Sequence, residues 1–127
     1  MSHLISAKLK VTSIHDLKKS VEVFGATLEE AKTFNSYIVE NCDYRIKLPG
    51  CSYQIGVRQQ KEGHYTLHYD TYSDGRKLIQ KFGENLGKLT QEYAAQVCMT
   101  QAKKTFGWTV VRKTLPNGKL QLRMVHA

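Results

Sequence analysis

The stretch LGKLTQEYAAQVCMTQAKKTF, Leu86 to Phe106, decides how the rest of the chain must be arranged. Neither Pro nor Gly interrupts it between Lys88 and Phe106. Apolar side chains recur at Leu86, Leu89, Tyr93, Val97 and Phe106, with Ala94, Cys98 and Ala102 in an adjoining row. That spacing is one face of an amphipathic helix. Gly107 follows at once and suits the left-handed conformation that ends helices. Such a helix needs an apolar surface to lie on, and the remaining sequence must supply it.

Downstream, Trp108 to Lys113 and Lys119 to Val125 are two strands joined through Pro116-Asn117-Gly118, and Asn-Gly between alternating segments signals a hairpin. Upstream, Leu4 to Thr12 alternates as a half-buried strand. Ser13 then caps a helix whose apolar residues Ile14, Leu17, Val21 and Phe24 end at Gly25. A strand is expected near Glu30 to Tyr37. Period-two alternation follows at Tyr44, Ile46 and Leu48, at Tyr53, Ile55 and Val57, and at Tyr65, Leu67 and Tyr69, with turns at Pro49-Gly50 and Lys61-Glu62-Gly63. Asp74 to Gly87 reads as a loop or short broken helix. The expected fold is α+β: one mainly antiparallel sheet of about five to seven strands with two helices on one face, in a single domain spanning residues 1–127.

Charge is the most informative part of the composition. Lys plus Arg number 19 against 11 for Asp plus Glu, a net charge of +8. After Glu92 there is no acidic residue, while Lys103, Lys104, Arg112, Lys113, Lys119 and Arg123 all follow. A one-signed field of this kind favours an anionic partner, with nucleic acid the named candidate. Tyr53, Tyr65, Tyr69, Tyr72 and Trp108 accompany Arg58, Arg76, Arg112 and Arg123, residue types that stack bases and neutralise phosphates. The phases of Tyr53, Tyr65 and Tyr69 also match the core.

Other chemistry is thinly supported. His64 and His68 fall on a strand, roughly 13 Å apart at about 3.3 Å per residue, too far to share one metal ion. Cys42, Cys51 and Cys98 lack zinc-site spacing and read as buried free thiols. Cys98 as a nucleophile would need exposure and a basic neighbour, and Asp70 with Asp74 is a commonplace pair. Gly83 and Gly87 ahead of a helix, with Arg76, Lys77 and Lys88 nearby, form a candidate anion-binding segment for a nucleotide or small anion, without the phosphate-loop pattern. No catalytic residue, cofactor or metal is expected. No run reaches the roughly 18 apolar residues of a membrane span, and no secretory signal is recognisable, so a cytoplasmic protein is expected.

Three segments carry a resemblance: Met1-Ser2-His3, CDYRIKLPGCSYQIGVRQ from Cys42, and GENLGKLTQEYAAQVCMTQAKKTFGWTVV from Gly83. With them the chain resembles a small family of unknown function, first noted as a chloroplast open reading frame and present in cyanobacteria, other bacteria and phages. The resemblance implies a one-domain α+β protein without established catalytic residues. It also implies a plastid stromal location where the host has plastids, and a gene context that includes an AAA+ ATPase. That context makes an accessory protein-interaction subunit, or a homo-oligomer, the alternative to nucleic-acid binding.

Overall fold

The computed structural model describes residues 4–125; Met1-Ser2-His3 of the resemblance lies outside the described residues. In chain order the elements are β1 (Leu4–Ser6), α1 (Ile14–Val23), β2 (Thr27–Glu30), β3 (Thr33–Asn35), β4 (Val39–Asn41), β5 (Tyr44–Lys47), β6 (Ile55–Gln59), β7 (Tyr65–Asp70), α2 (Gly75–Phe82), α3 (Gly87–Phe106), β8 (Thr109–Thr114) and β9 (Leu120–Val125). The fold is α+β. Its central sheet has five strands in the order β1-β7-β6-β5-β2, every neighbour antiparallel. The other strands form separate ribbons, β3-β4 and β8-β9, so the sheet stops at the lower end of the expected size.

The alternation seen in the sequence places Ile46, Ile55, Val57, Leu67 and Tyr69 on one sheet face. There they pack with Leu17 and Val21 of α1, Leu78 and Phe82 of α2, and Leu89 and Tyr93 of α3. Ser13 caps α1 as expected, its hydroxyl accepting the Asp16 N–H at 3.1 Å. The long first strand is shortened to β1, with the chain returning to β7 only at the Val11–Tyr65 bridge.

The segment expected as one strand from Glu30 to Tyr37 is three short ones. β2 completes the sheet edge and β3-β4 folds across the opposite face. The reason lies in β6. Gly56 is in the opposite phase to Ile55 and Val57, and a Cβ there would collide with the Phe34 ring of β3, which is fully buried. Arg58, two residues on and therefore on the same face, lies over that ring at 5.7 Å and pairs with Glu40 of β4.

The segment 74–87, expected as loop or broken helix, contains α2 and a single 3₁₀ turn at Glu84–Leu86. Asn85 and Leu86 turn the corner into α3 with φ of 54° and 57°. A left-handed residue other than glycine costs about 1–2 kcal/mol. Complete burial of the Leu86 side chain offsets this by about 1.5–3 kcal/mol.

α3 does not lie along the sheet as its apolar stripe suggests. At 20 residues it is about 30 Å long, whereas the six residues of β7 span about 20 Å. Its first turns reach the common core and the rest overhangs. Ala94, between the buried Tyr93 and Ala95, faces outward, Val97 and Cys98 are half-buried, Ala102 is buried, and Phe106 is exposed at the helix end. Cys42 and Cys51 are also half-buried, and all three thiols are free.

Candidate nucleic-acid interface

α3 is fastened to α1 at two points along its length. Tyr93 Oη accepts the Thr12 and Ser13 backbone N–H groups at 2.9 and 3.1 Å, and Thr100 Oγ1 donates to the buried Asp16 carboxylate at 2.7 Å. Beside this joint the two helices leave a groove of about 530 Å³, lined by His15 and Lys19 of α1 and by Gln96, Met99, Thr100, Lys103 and Lys104 of α3. Helical spacing assembles it: His15 and Lys19 are four apart, as are Gln96 and Thr100, with Lys103 three further on. Its volume falls in the range of small-ligand sites. No carboxylate lines it, because Asp16 is turned to Thr100 beneath. Lys103 and Lys104 stand in the last turn of α3, where the helix dipole favours cations.

The β8-β9 ribbon docks on α3 through an ion pair, and Gln91 Nε2 also donates to the Gly118 carbonyl at 3.4 Å. Arg112 Nη1 and Nη2 donate to the two Glu92 carboxylate oxygens at 2.7 and 2.5 Å, and Gln96 Nε2 adds a third bond at 2.9 Å. Burial works to raise the Glu92 carboxyl, but the bonds from Arg112 and Gln96 and the Arg112 charge outweigh it and hold Glu92 below its ordinary value. The same bond raises Arg112 against the opposing effect of desolvation. Arg112 therefore anchors the ribbon, and its charge is matched.

Register sorts the remaining ribbon cations. Val111 opposes Arg123 and Lys113 opposes Gln121, so these four share the face opposite that of Arg112. They line a concavity of about 370 Å³ together with Leu122. Lys119 stands at the tip, where Gly118 takes a φ of 83° to close the turn. Lys103, Lys104, Lys113, Lys119 and Arg123 form no ion pair among the described residues. These charges are spread along α3 and the ribbon rather than gathered at one point.

The chain belongs to the family described as protein of unknown function DUF1257, matched over residues 14–122. The match runs from the first residue of α1 into β9, so both walls of the groove and nearly all of the ribbon are part of the DUF1257 unit, whereas β1 lies outside it. No curated protein and no solved structure matches the chain.

Elsewhere in this DUF1257 fold, the candidate anion segment is divided between the two ends of α2. At one end Lys77 bonds Asp74 at 3.0 Å and the Gly50 carbonyl at 2.9 Å, with Arg76 exposed beside it. At the other end Gly87 borders a depression with Lys8, Leu9 and Lys10, and Lys88 is exposed. Asp74 is held at about 2 by hydrogen bonds from the Ser52 hydroxyl and backbone N–H and from Lys77. Asp70 is fully buried and accepts the Tyr37 and Tyr72 N–H groups, which makes it a loop anchor.

His68 has both ring nitrogens engaged, Nδ1 with Ser6 Oγ at 2.9 Å and Nε2 with Thr66 Oγ1 at 2.8 Å. Burial, then the Arg58 charge, pushes it below the ordinary imidazole value. Among the described residues no three His, Cys, Asp or Glu side chains come together to hold a metal, and no helix is long and apolar enough to cross a membrane. Sequence reasoning missed His15 and Lys19. Their spacing of four on α1 was visible, but the helix facing them was not.

Proposed function

We propose that this protein is a non-enzymatic module that binds nucleic acid through the α1–α3 groove, the last turn of α3 and the outer face of the β8-β9 ribbon. The observation that carries this reading is the unmatched charge. Glu92, the last acidic residue of the sequence, is neutralised by Arg112, leaving Lys103, Lys104, Lys113, Lys119 and Arg123 without a carboxylate partner among the described residues. A string of separated cations suits an extended polyanion better than a compact anion, because each neutralises its own phosphate and releases its own counterions. A two-stranded ribbon is also a shape that nucleic-acid grooves admit. The protein would act in the cytoplasm or plastid stroma, as the chloroplast and cyanobacterial resemblance suggests.

The test is charge reversal. Lys103→Glu/Lys104→Glu and Lys113→Glu/Arg123→Glu should each weaken RNA or DNA binding at least about tenfold in a mobility-shift assay. Lys61→Glu, in the Lys61–Gly63 turn, should have a smaller effect. Equal effects at all three sites would remove the groove and ribbon from the interface.

One observation favours a second reading, a protein-interaction subunit working with an AAA+ ATPase or with its own copies. Val111, Met124 and Val125 of the ribbon are 44%, 47% and 38% exposed, and among the described residues neither ribbon edge has a neighbouring strand. Co-purification after nuclease treatment separates the readings: a protein partner that persists favours the second.

A further inference from the structure

The sequence puts Phe106 on the core stripe of α3, yet its side chain is 57% exposed at the helix end. Its ring stacks on Trp108, with centroids 4.7 Å apart and planes at 26°. The helix cap creates this pair. Gly107 adopts a φ of 67° and its N–H bonds the Lys103 carbonyl, so the chain reverses and brings residues 106 and 108 side by side. One side of the Phe106 ring is therefore held by Trp108 while the remainder projects into solvent. Lys103 lies three residues earlier and hence on the adjoining surface of the same helix, and Lys104 follows it into the groove.

We propose that Phe106, backed by Trp108, is a base-stacking platform, and that the nucleic acid is single-stranded where it crosses the end of α3, with Lys103 and Lys104 on the flanking phosphates. This deepens the nucleic-acid reading above and rests on it. An aromatic face beside two unmatched lysines is complementary to a ligand that is flat and apolar at one point and anionic on either side of it. A nucleotide within a chain has that composition, whereas an apolar protein side chain would use the ring and leave both lysines idle. Duplex bases already stack on one another and offer only their edges, so a ring face reaches a base only where the strand is unpaired.

The chain contains one tryptophan, so its emission reports directly on this platform. Short labelled RNA and DNA oligonucleotides, single-stranded and in duplex, would be titrated into the full chain, following Trp108 emission and oligonucleotide anisotropy. The single strand should bind more tightly and should quench Trp108. Phe106→Leu should lower its affinity about 5- to 150-fold without changing the slope of log K on log salt, because the ring neutralises no phosphate. Phe106→Tyr should restore binding. Lys103→Glu/Lys104→Glu should flatten the slope.

The stacking proposal is overturned, with the wider reading intact, if Phe106→Leu binds the single strand as the original chain does or if the duplex binds and quenches equally. It is likewise overturned if the substitution alters only the sedimenting mass, which would assign the ring to a contact between copies. Absence of salt-dependent binding by the original chain would overturn both readings together.

Discussion

Replacing Arg112 by Ala tests the joint that holds the ribbon, and the two partners of that joint should respond unequally. The Glu92 side chain is 7% exposed and the Arg112 side chain 32%. Arg112→Ala strands a largely buried carboxylate, with Gln96 as its one remaining side-chain donor, and should cost about 3 kcal/mol. Glu92→Ala leaves a guanidinium that can turn to solvent, and should cost about 1–2 kcal/mol. For a domain of this size about 3 kcal/mol lowers the melting temperature by roughly 10 °C. A double-mutant cycle read by urea unfolding should return a coupling of at least about 1.5 kcal/mol.

The pH dependence gives a second readout of the same joint. Glu92 is depressed below its ordinary 4.5 in the folded chain. Its contribution is therefore complete above pH 4.5 and is lost as pH falls through the lower folded value. In Arg112→Ala the burial effect acts unopposed by that charge and the folded value rises above 4.5, so stability should fall as pH increases from 4.5. The difference between the two proteins should thus be smallest at acid pH, below the depressed folded value of Glu92, and widen as pH rises through 4.5 toward 7. A coupling under about 0.5 kcal/mol, the scale of an exposed pair, with a pH-independent difference, would refute the anchor role.

Three further outcomes follow from particular contacts. Gly56→Ala forces a methyl into the Phe34 ring and should cost about 1–3 kcal/mol, measured by denaturant unfolding; Gly63→Ala, where nothing lies within 4 Å, should show no steric cost, only that of its positive φ. Tyr93→Phe removes the acceptor of two backbone N–H groups at the start of α1 and should destabilise by about 1–3 kcal/mol, with faster hydrogen exchange at Thr12 and Ser13. Asp74 has its folded value lowered from 3.8 to about 2, so the stability it contributes is present above pH 3.8 and is lost as pH falls from there toward 2. In Asp74→Asn that segment of the acid-unfolding profile should flatten.

The elements with long periodic signals were legible in the sequence. α1 announces itself through Ser13 and Gly25, α3 through its uninterrupted length and Gly107, β5 to β7 through repeated alternation, and the last ribbon through Asn117-Gly118. β3 and β4 were not, because three residues hold too little alternation to reveal a period, and Phe34 is buried by a glycine on a strand distant in sequence. α2 is brief and borders glycines at both ends, which hides it behind turn signals. In the site, the lysines of the last α3 turn and the ribbon cations were visible as an acid-free run. The matching of Arg112 by Glu92 was not, since it depends on how the ribbon folds back against the helix. Phe106 belongs to the apolar stripe by its spacing, yet periodicity records only which face a residue occupies and cannot record that the helix outruns the sheet.

The claim on which the account depends is that the unmatched cations of α3 and the ribbon engage phosphates. The most direct measurement is the salt dependence of oligonucleotide binding by the intact chain. Each cation that neutralises a single-strand phosphate adds about −0.7 to the slope of log K against log salt. Engagement of Lys103, Lys104, Lys113, Lys119 and Arg123 together predicts a slope near −3.5, flattened by about 1.4 when Lys103 and Lys104 are both replaced by Gln. A slope near zero, or one that neither these replacements nor those at Lys113 and Arg123 alter, would contradict it.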